Sequence, residues 1–379
     1  ILFILVQEDK FLNKIISIAF TIRFILSFIN AYVWTLPSGR SDAIDFEYSG
    51  WIIASSSDSI IELFSMPFEF YRRFIGFIYY LFGRSPFLIQ HISVITGTLL
   101  VYVTYKIVLE IYPSVKSAKL AAYCVAFYPG LAQFSAFTRR ESLIYFFSSL
   151  SLLYFLRWFN KGKSSAIVKS FASILIGALF HSGVIFVAIP YLFFFIFYKP
   201  KYQKWNISLI KLIISAILII FIFQFGGALF RKIPEISVEE LGSTVARKAV
   251  GGRAGYLHGT QPKSWIDAIV QTPIRIVFFL FTPFPWQVTS ITDIYGFLLD
   301  TVPIYVIVLY SVYEMKIMRK NRKNLFIFMT CFLLFAIIPY AWGTSNYGTA
   351  IRHRQKIVWL LIAFFSLGYN RRRAIKGRG

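Results

Sequence analysis

Ionisable side chains are concentrated at a few places in an otherwise apolar chain of 379 residues. A guanidinium group donates two parallel hydrogen bonds to a phosphate, and a nearby carboxylate can accept a proton from an attacking hydroxyl. The candidate site residues are three carboxylates (Asp42, Asp45, Glu141), four arginines (Arg139, Arg140, Arg352, Arg354) and two histidines (His181, His353). Arginines surrounding a carboxylate predict a site for an anionic lipid headgroup.

Each of these residues also has a structural explanation. Arg139 and Arg140 could reach lipid headgroups from helix ends, and the helix dipole favours Glu141 at a helix N-terminus. The two aspartates could be ordinary loop carboxylates, and His181 could form a hydrogen bond at a helix end. A functional role is favoured most at 352–354, because this trio follows a small polar stretch and directly precedes a bilayer-spanning run.

The composition defines the class of protein that positions these residues. Hydrophobic residues make up 57% of the chain and charged residues 15%, and the mean hydropathy is +0.64. A soluble domain is about a quarter charged and could not bury this much apolar surface, and disordered chains are poorly hydrophobic. We therefore predict an all-α polytopic membrane protein. Nucleotide-binding and zinc motifs do not occur in the sequence, and Cys124 and Cys331 both lie in apolar runs.

Apolar runs of about 20 residues predict the membrane-spanning helices. These runs lie at 11–35, 87–109, 118–137, 142–158, 206–230, 294–315, 324–342 and 355–369. The run 168–198 is too long for one span, and we interpret it as two short helices that meet at His181. The run 272–288 holds three prolines and predicts a re-entrant or interfacial segment. The sequence thus predicts roughly 9–11 transmembrane helices in a single membrane domain, 1–379.

Two sizeable loops interrupt the spans, one at 36–86 and one at 231–293, which includes the re-entrant or interfacial segment. The first loop has six acidic residues against four arginines. By contrast, about half of the 40 basic residues lie in the short loops between the other spans and in the C-terminal tail. The positive-inside rule places those basic loops in the cytoplasm and the two sizeable loops outside. Topology then accounts for the net charge of +23, and no nucleic-acid partner is implied. The chain opens with ILFILV and no Met, so we expect an earlier hydrophobic segment to end here.

Several motifs resemble those of C-type (GT-C) membrane glycosyltransferases. The acidic stretch Asp42-Ala43…Phe46-Glu47 is similar to the first-loop motif of that superfamily. Similarity to its N-terminal module lies in 81–85, 91–98, Tyr128-Pro129 and Arg140-Glu141. The stretches 346–354 and Phe284-Pro285-Trp286 resemble membrane proteins of bacterial surface-polysaccharide clusters, which are described as O-antigen-polymerase-like or as lipid-linked-sugar transferases.

The resemblance implies an integral-membrane glycosyltransferase or polysaccharide polymerase that uses a polyprenyl-(di)phosphate-linked sugar donor and a glycan acceptor. It implies a reaction at the extracytoplasmic face of the bacterial plasma (inner) membrane, in cell-surface polysaccharide biosynthesis. In this reading Asp42 is the catalytic base and Glu141 is the second candidate. The residues expected to bind the carrier phosphate or the sugar are Arg139, Arg140, Arg352, Arg354, His181, His353 and Asp45.

Other functions stay open at this point. A flippase for lipid-linked oligosaccharides would bind the same substrate, but transporters place their site near the membrane midplane and often have repeated halves, and the sequence shows neither. A non-catalytic scaffold in a polysaccharide-assembly complex is a third alternative. The sequence demands no cofactor or metal ligand, although Asp42 and Asp45 could together hold a divalent cation.

Overall fold

The structure is a computed structural model that describes residues 9–36, 39–40, 42–206, 209–217, 238–249 and 252–376. Its helices, in chain order, are α1 (Lys10–Phe28), α2 (Asp42–Ser55), α3 (Ile60–Ser65), α4 (Phe70–Phe82), α5 (Pro86–Ile111), α6 (Val115–Phe127), α7 (Pro129–Phe134), α8 (Glu141–Lys161), α9 (Ser164–Phe180), α10 (Ala188–Phe197), α11 (209–217), α12 (Val238–Ala249), α13 (Trp265–Phe281), α14 (Ile291–Gly296), α15 (Val302–Asn321), α16 (Lys323–Trp342) and α17 (Tyr347–Lys376). A short antiparallel hairpin, β1 (Tyr198–Lys199) and β2 (Lys204–Trp205), follows α10.

Several of these helices are long and apolar enough to cross a bilayer. Within the described residues, five segments qualify by length and composition: Lys10–Val33, Pro86–Ile111, Glu141–Lys161, Ile291–Asn321 and Lys323–Trp342. The shorter apolar helices Ser164–Phe180 and Ser182–Phe197 accompany them. The all-α polytopic membrane fold is therefore confirmed. The number of roughly 9–11 spans stays a prediction, and most of the expected span 206–230 lies outside the described residues.

The last helix, α17, runs through the centre of the bundle. It packs against α5, α6, α8, α13, α15 and α16, and every residue from 353 to 364 is buried. A helix that is buried on all sides must fit its neighbours at every turn, so its register is fixed over its length. This rigidity makes α17 the element that can position Arg352.

The predicted span 118–137 is divided into α6 and α7, because Pro129 has no backbone N–H to continue the first helix. The carbonyls exposed at this break are satisfied by Arg23 of α1, which is fully buried. Its guanidinium donates to the carbonyl of Ala126 (3.0 Å) and to that of Val125 (3.1 Å). The break therefore persists in a buried environment without leaving these backbone groups unpaired.

The segment 36–86, for which the sequence predicts a loop, instead contains three helices in its described part. In α4, Tyr71, Ile75 and Tyr79 recur at four-residue spacing, and this apolar face is buried, with α4 packed on α2. Two of the three residues on this buried face, Tyr71 and Tyr79, are aromatic, although the segment as a whole is polar. As a result Asp42 is held at the start of a packed helix.

The predicted break at His181 is confirmed. Helix α9 ends at Phe180, and a 3₁₀ segment, Ser182–Val187, follows before α10. The Nδ1 atom of His181 accepts a hydrogen bond from the N–H of Gly183 at 3.1 Å, so the side chain caps the new segment. This contact matches the structural explanation for His181 given above.

The proline-rich run 272–288 is less irregular than the sequence suggests. Its first half is the end of α13, a regular helix that accommodates Pro273. The irregular backbone is confined to the second half, where a cis Thr282–Pro283 bond is followed by the 3₁₀ turn Pro285–Gln287.

Candidate active site

Asp42 lies where three separate parts of the chain meet. It opens α2, and its Oδ2 atom is in contact with a guanidinium nitrogen of Arg352 on α17. The same oxygen lies 3.4 Å from Nη1 of Arg139, in the turn between α7 and α8. Arg139 also donates from Nη2 to the backbone carbonyl of Arg40 at 3.3 Å. Two guanidinium groups therefore converge on one carboxylate, as a phosphate-binding site requires.

Glu141, the first residue of α8, lies behind this pair. Its Oε1 atom is 3.4 Å from Nε of Arg352, while Oε2 has no hydrogen-bond partner within the described part of the chain. Lys356, which is buried one turn beyond Arg352 on α17, also acts electrostatically on Glu141. The side chain of Asp42 is 45% exposed and that of Glu141 only 4%, so Asp42 is the carboxylate that a ligand can reach.

The surrounding charges determine the protonation state of Asp42. Partial burial raises the pKa of its carboxyl group, but Arg352, Arg139 and Arg140 together lower the pKa by more than burial raises it. The net effect holds the pKa of Asp42 below the ordinary value for aspartate. Asp42 is therefore ionised at neutral pH and can accept a proton.

Two other predicted residues pair near Asp42 without contacting it. Arg140 binds Glu69 at the start of α4, with 2.8 Å between Nη1 and Oε2. Asp45 binds Arg72 of α4 at 2.6 Å, and Arg72 also donates to the hydroxyl of Ser49. These pairs clamp α4 against α2 and the start of α8, and so they help to position the residues beside them.

The carboxylates of α2 do not fit the alternative of a divalent cation. Asp42 and Asp45 each pair with an arginine, which compensates the negative charge that a cation would need. No group of three or more His, Cys, Asp or Glu side chains that could hold a metal ion occurs among the residues that the structure describes.

The two predicted histidines lie close to each other beside the arginine cluster. The Nδ1 atom of His353 is 3.1 Å from the hydroxyl of Thr344, and its Nε2 atom is 3.5 Å from Nη2 of Arg352. The ring centroids of His181 and His353 are 6.0 Å apart, and Tyr340 lies near both. The structure thus brings the histidines to the site, with His353 next to the arginine that contacts Asp42.

Arg354 requires a correction, because the structure does not bring it to this cluster. Residues two apart on a helix point in nearly opposite directions, so Arg354 leaves α17 on the side away from Arg352. It is fully buried, its Nε atom lies 2.6 Å from Oδ2 of Asp300, and its guanidinium donates to the carbonyls of Leu280 and Thr282. Arg354 therefore supports the fold and does not face the predicted phosphate.

Sequence reasoning missed two charged neighbours of the site. Lys356 could have been found, because it follows Arg352 by four residues and a helix places such residues on one face. No sequence pattern indicates Glu69, because its contact with Arg140 depends on how α4 packs against the start of α8.

Comparisons with known proteins agree with the fold. The family model described as "Dolichyl-phosphate-mannose-protein mannosyltransferase" matches residues 70–232, which include Arg139, Arg140 and Glu141 but neither Asp42 nor Arg352. Among solved structures, the chain is similar to the archaeal oligosaccharyltransferase AglB from Archaeoglobus fulgidus, determined with an inhibitory peptide and a dolichol-phosphate, at a TM-score of 0.54 and 14% identity. The alignment covers 98% of this chain and 52% of AglB, so the chain spans about half the length of that enzyme. A comparison with curated proteins finds no match.

The fold therefore defines the class of protein. Both matches are to GT-C-type proteins, and the similarity to AglB extends over nearly the whole chain. The resemblance to the GT-C superfamily that the sequence motifs indicate is confirmed, and this chain has the GT-C fold.

Proposed function

We propose that the protein is a membrane glycosyltransferase that transfers a sugar from a polyprenyl-phosphate or polyprenyl-diphosphate carrier to a glycan acceptor. The observation that carries this proposal is the convergence of Arg352 and Arg139 on Asp42, beside the buried Glu141. Both comparisons support a lipid-phosphate donor. The matched family is named for dolichyl-phosphate-mannose, and the structure of AglB was determined with a dolichol-phosphate.

The proposed reaction assigns a separate role to each charge. Asp42 accepts the proton of the acceptor hydroxyl as the oxygen of that hydroxyl bonds to the anomeric carbon of the donor sugar. The bond between the anomeric carbon and the carrier phosphate oxygen breaks, and the phosphate leaves with the bonding electrons. Arg352 and Arg139 hydrogen-bond to that phosphate and stabilise its developing charge. Glu141 keeps Arg352 in place from the buried side.

We also propose the setting of this reaction. The acidic first segment and the basic loops elsewhere favour a site on the extracytoplasmic face of a bacterial plasma membrane. The similarity of 346–354 and of Phe284-Pro285-Trp286 to surface-polysaccharide proteins favours a role in the synthesis or polymerisation of a cell-surface polysaccharide. We propose that its partner proteins are those of a polysaccharide-assembly complex.

The test is sugar transfer by purified protein in vesicles supplied with lipid-linked donors. We expect Asp42→Asn and Arg352→Ala to lose at least 100-fold in transfer rate at unchanged protein abundance, because one removes the base and the other a phosphate ligand. Asp58→Asn is the matched control, since Asp58 is an exposed aspartate after α2.

The same vesicles separate this function from the alternatives. Transfer that persists in both variants would contradict the assignment of the site. Movement of the donor lipid across the bilayer without a new glycosidic bond would identify a flippase instead. A protein with neither activity would fit a scaffold.

A further inference from the structure

A cavity of about 490 Å³ lies on the other side of α2 from the arginine cluster. It is bounded by the end of the first span, by one face of α2 and by the start of α5. Its volume is within the range of small-molecule sites, roughly 300–1,000 Å³. Ala43 and Thr138 form part of its wall, and they are the chain neighbours of Asp42 and Arg139. The cavity and the arginine cluster therefore share a wall.

The periodicity of α2 explains this arrangement. Successive residues of a helix are turned by about 100°, so Asp42, Asp45 and Ser49 lie on one side while Ala43 and Glu47 lie on the other. The first side is paired with arginines, and the second side lines the cavity. Asp42 begins the helix on the first side, and the next residue, Ala43, lines the cavity, so the Asp42 carboxylate and the cavity lie on neighbouring faces of the same first turn.

The lining of the cavity is polar but electrically compensated. Glu47 and Arg84 form a bidentate pair with two N–O distances of 2.9 Å, and the Tyr79 hydroxyl donates to the same carboxylate at 3.0 Å. The other polar lining groups are uncharged amides and hydroxyls, among them Asn30 and Gln90. An anion would find no uncompensated positive charge among these lining groups, whereas a neutral ligand rich in hydroxyls would find donors and acceptors.

Aromatic rings complete the lining. The rings of Tyr32 and Phe87 lie 5.3 Å apart at the same side of the cavity, and Tyr32 is 63% exposed. A sugar ring has hydroxyls at its rim and apolar C–H groups on its faces. Its hydroxyls can therefore hydrogen-bond to the polar lining groups while a face packs against the aromatic rings. Aromatic surface with a few fixed polar groups is the general pattern of a specific small-molecule site.

We propose that this cavity binds the neutral sugar residues of the glycan acceptor, and so places an acceptor hydroxyl beside Asp42. This assignment rests on the proposed function for the identity of the ligand as an acceptor. Binding of a neutral glycan to the cavity can be measured without any transfer reaction, so the two proposals can fail separately.

The test uses detergent-solubilised protein and saturation-transfer NMR with linear trisaccharides of glucose, galactose, mannose and N-acetylglucosamine. We expect at least one trisaccharide to bind, and its affinity to fall at least tenfold in Tyr32→Ala, which removes the exposed ring, and in Ile44→Trp, which fills the cavity. Tyr32 and Ile44 are 63% and 58% exposed, so both variants should fold. Tyr202→Ala and Ile61→Trp are the matched controls, because Tyr202 and Ile61 are exposed residues outside the cavity.

Binding should also be independent of the arginine cluster. We expect Arg352→Ala to retain the trisaccharide while it loses affinity for dodecyl phosphate, a short analogue of the lipid carrier. Displacement of the trisaccharide by dodecyl phosphate in the wild-type protein would overturn the proposal, as would equal binding in Ile44→Trp. Failure of all four trisaccharides to bind would overturn it too. Glycan binding in a protein without transfer activity would uphold the cavity assignment and reject the proposed function.

Discussion

At the residue scale, the central feature is that Asp42 pairs with both of the arginines that the proposed function assigns to the carrier phosphate. Arg352 and Arg139 both contact its Oδ2 atom. A phosphate that binds these guanidinium groups must compete with the carboxylate. Once the phosphate takes over the arginines, Asp42 loses the charges that lower its pKa and becomes a stronger base. In the proposed reaction, donor binding would thus make Asp42 a better proton acceptor.

This competition predicts that Asp42→Asn, which lacks the proposed base, binds the carrier phosphate more tightly than the wild-type protein does. The carboxylate is about half exposed, so we expect a gain of about fivefold, equivalent to roughly 1 kcal/mol. Binding of a polyprenyl phosphate to protein in nanodiscs measures the affinity. Asp45→Asn should leave the affinity unchanged, because Asp45 pairs with Arg72. Weaker binding by Asp42→Asn would show that the carboxylate supports the donor site instead of competing for it.

The residue types of the candidate site were predictable from the sequence, but their grouping was only partly so. Asp42, Arg139, Glu141 and Arg352 are ionisable groups in an apolar chain, and that signal suffices to choose them. Asp42 is 97 positions from Arg139 and 310 from Arg352, so these contacts depend on tertiary packing. The sequence predicts that the last span begins at 355 and so groups Arg354 with Arg352, whereas α17 begins at Tyr347 and its helical geometry separates the two arginines.

At the scale of elements, Arg354 joins three parts of the fold. Its contacts with Asp300, Leu280 and Thr282 connect α17 to the segment between α14 and α15 and to the end of α13. Tyr128, at the break between α6 and α7, donates to the same Asp300 carboxylate at 2.8 Å. The end of α13, the segment between α14 and α15 and the break between α6 and α7 are therefore all joined to one buried ion pair on α17.

We predict that Arg354→Leu strongly destabilises the protein, because it leaves Asp300 buried and unpaired. Loss of one partner of a buried pair costs about 3–5 kcal/mol, which corresponds to a fall of roughly 10 °C in unfolding temperature. Intrinsic fluorescence during heating in detergent measures the change. Asp300→Asn combined with Arg354→Leu should recover part of the loss, since no unpaired charge remains. Arg352→Leu is the comparison, because Lys356, Arg139 and Arg140 still act on its buried partner Glu141 and a smaller loss is expected. A loss as large as that of Arg354→Leu would contradict the separation of their roles.

Some breaks between elements were predictable and others were not. The break at His181 follows from a run too long for one span, and the small residues after it allow the turn. The sequence predicts one continuous span across Pro129, because the residues on both sides are apolar and the run has the length of one span. The carbonyls freed there are satisfied by Arg23, a residue more than 100 positions away, and no local pattern reveals such a partner.

At the scale of the whole molecule, the candidate site and the basic residues lie at opposite ends of the same helices. On α17, nineteen residues separate Arg352 from Arg371, which is about 28 Å at 1.5 Å per residue. On α8, Glu141 and Lys161 are about 30 Å apart by the same measure. Both lengths equal the thickness of a bilayer's hydrocarbon core, about 30 Å. The site and the basic ends therefore fit opposite surfaces of one membrane.

The basic ends also gather at one place. Arg371 lies 2.9 Å from Glu314 of α15, and Arg322 donates to the carbonyl of Ile111 at the end of α5 and to Asn160 of α8. These contacts tie the ends of four long helices together on the side away from Asp42. The net charge of +23 is thus concentrated largely where the positive-inside rule expects the cytoplasm, and Arg139 and Arg352 are among the arginines at the opposite end.

This arrangement predicts which positions are reachable from outside the cell. The test starts from a protein in which serine replaces Cys124 and Cys331. In intact cells we expect a membrane-impermeant maleimide to label Tyr48→Cys, because Tyr48 lies on the exposed face of α2. Lys320→Cys, exposed at the basic end of α15, should be labelled only after the membrane is permeabilised. The reverse pattern would place the arginine cluster in the cytoplasm, where a sugar carried on a lipid would have to be used before it crosses the membrane. Because the two positions flank the same bilayer, labelling of both in intact cells would mean that the helices between them do not span it.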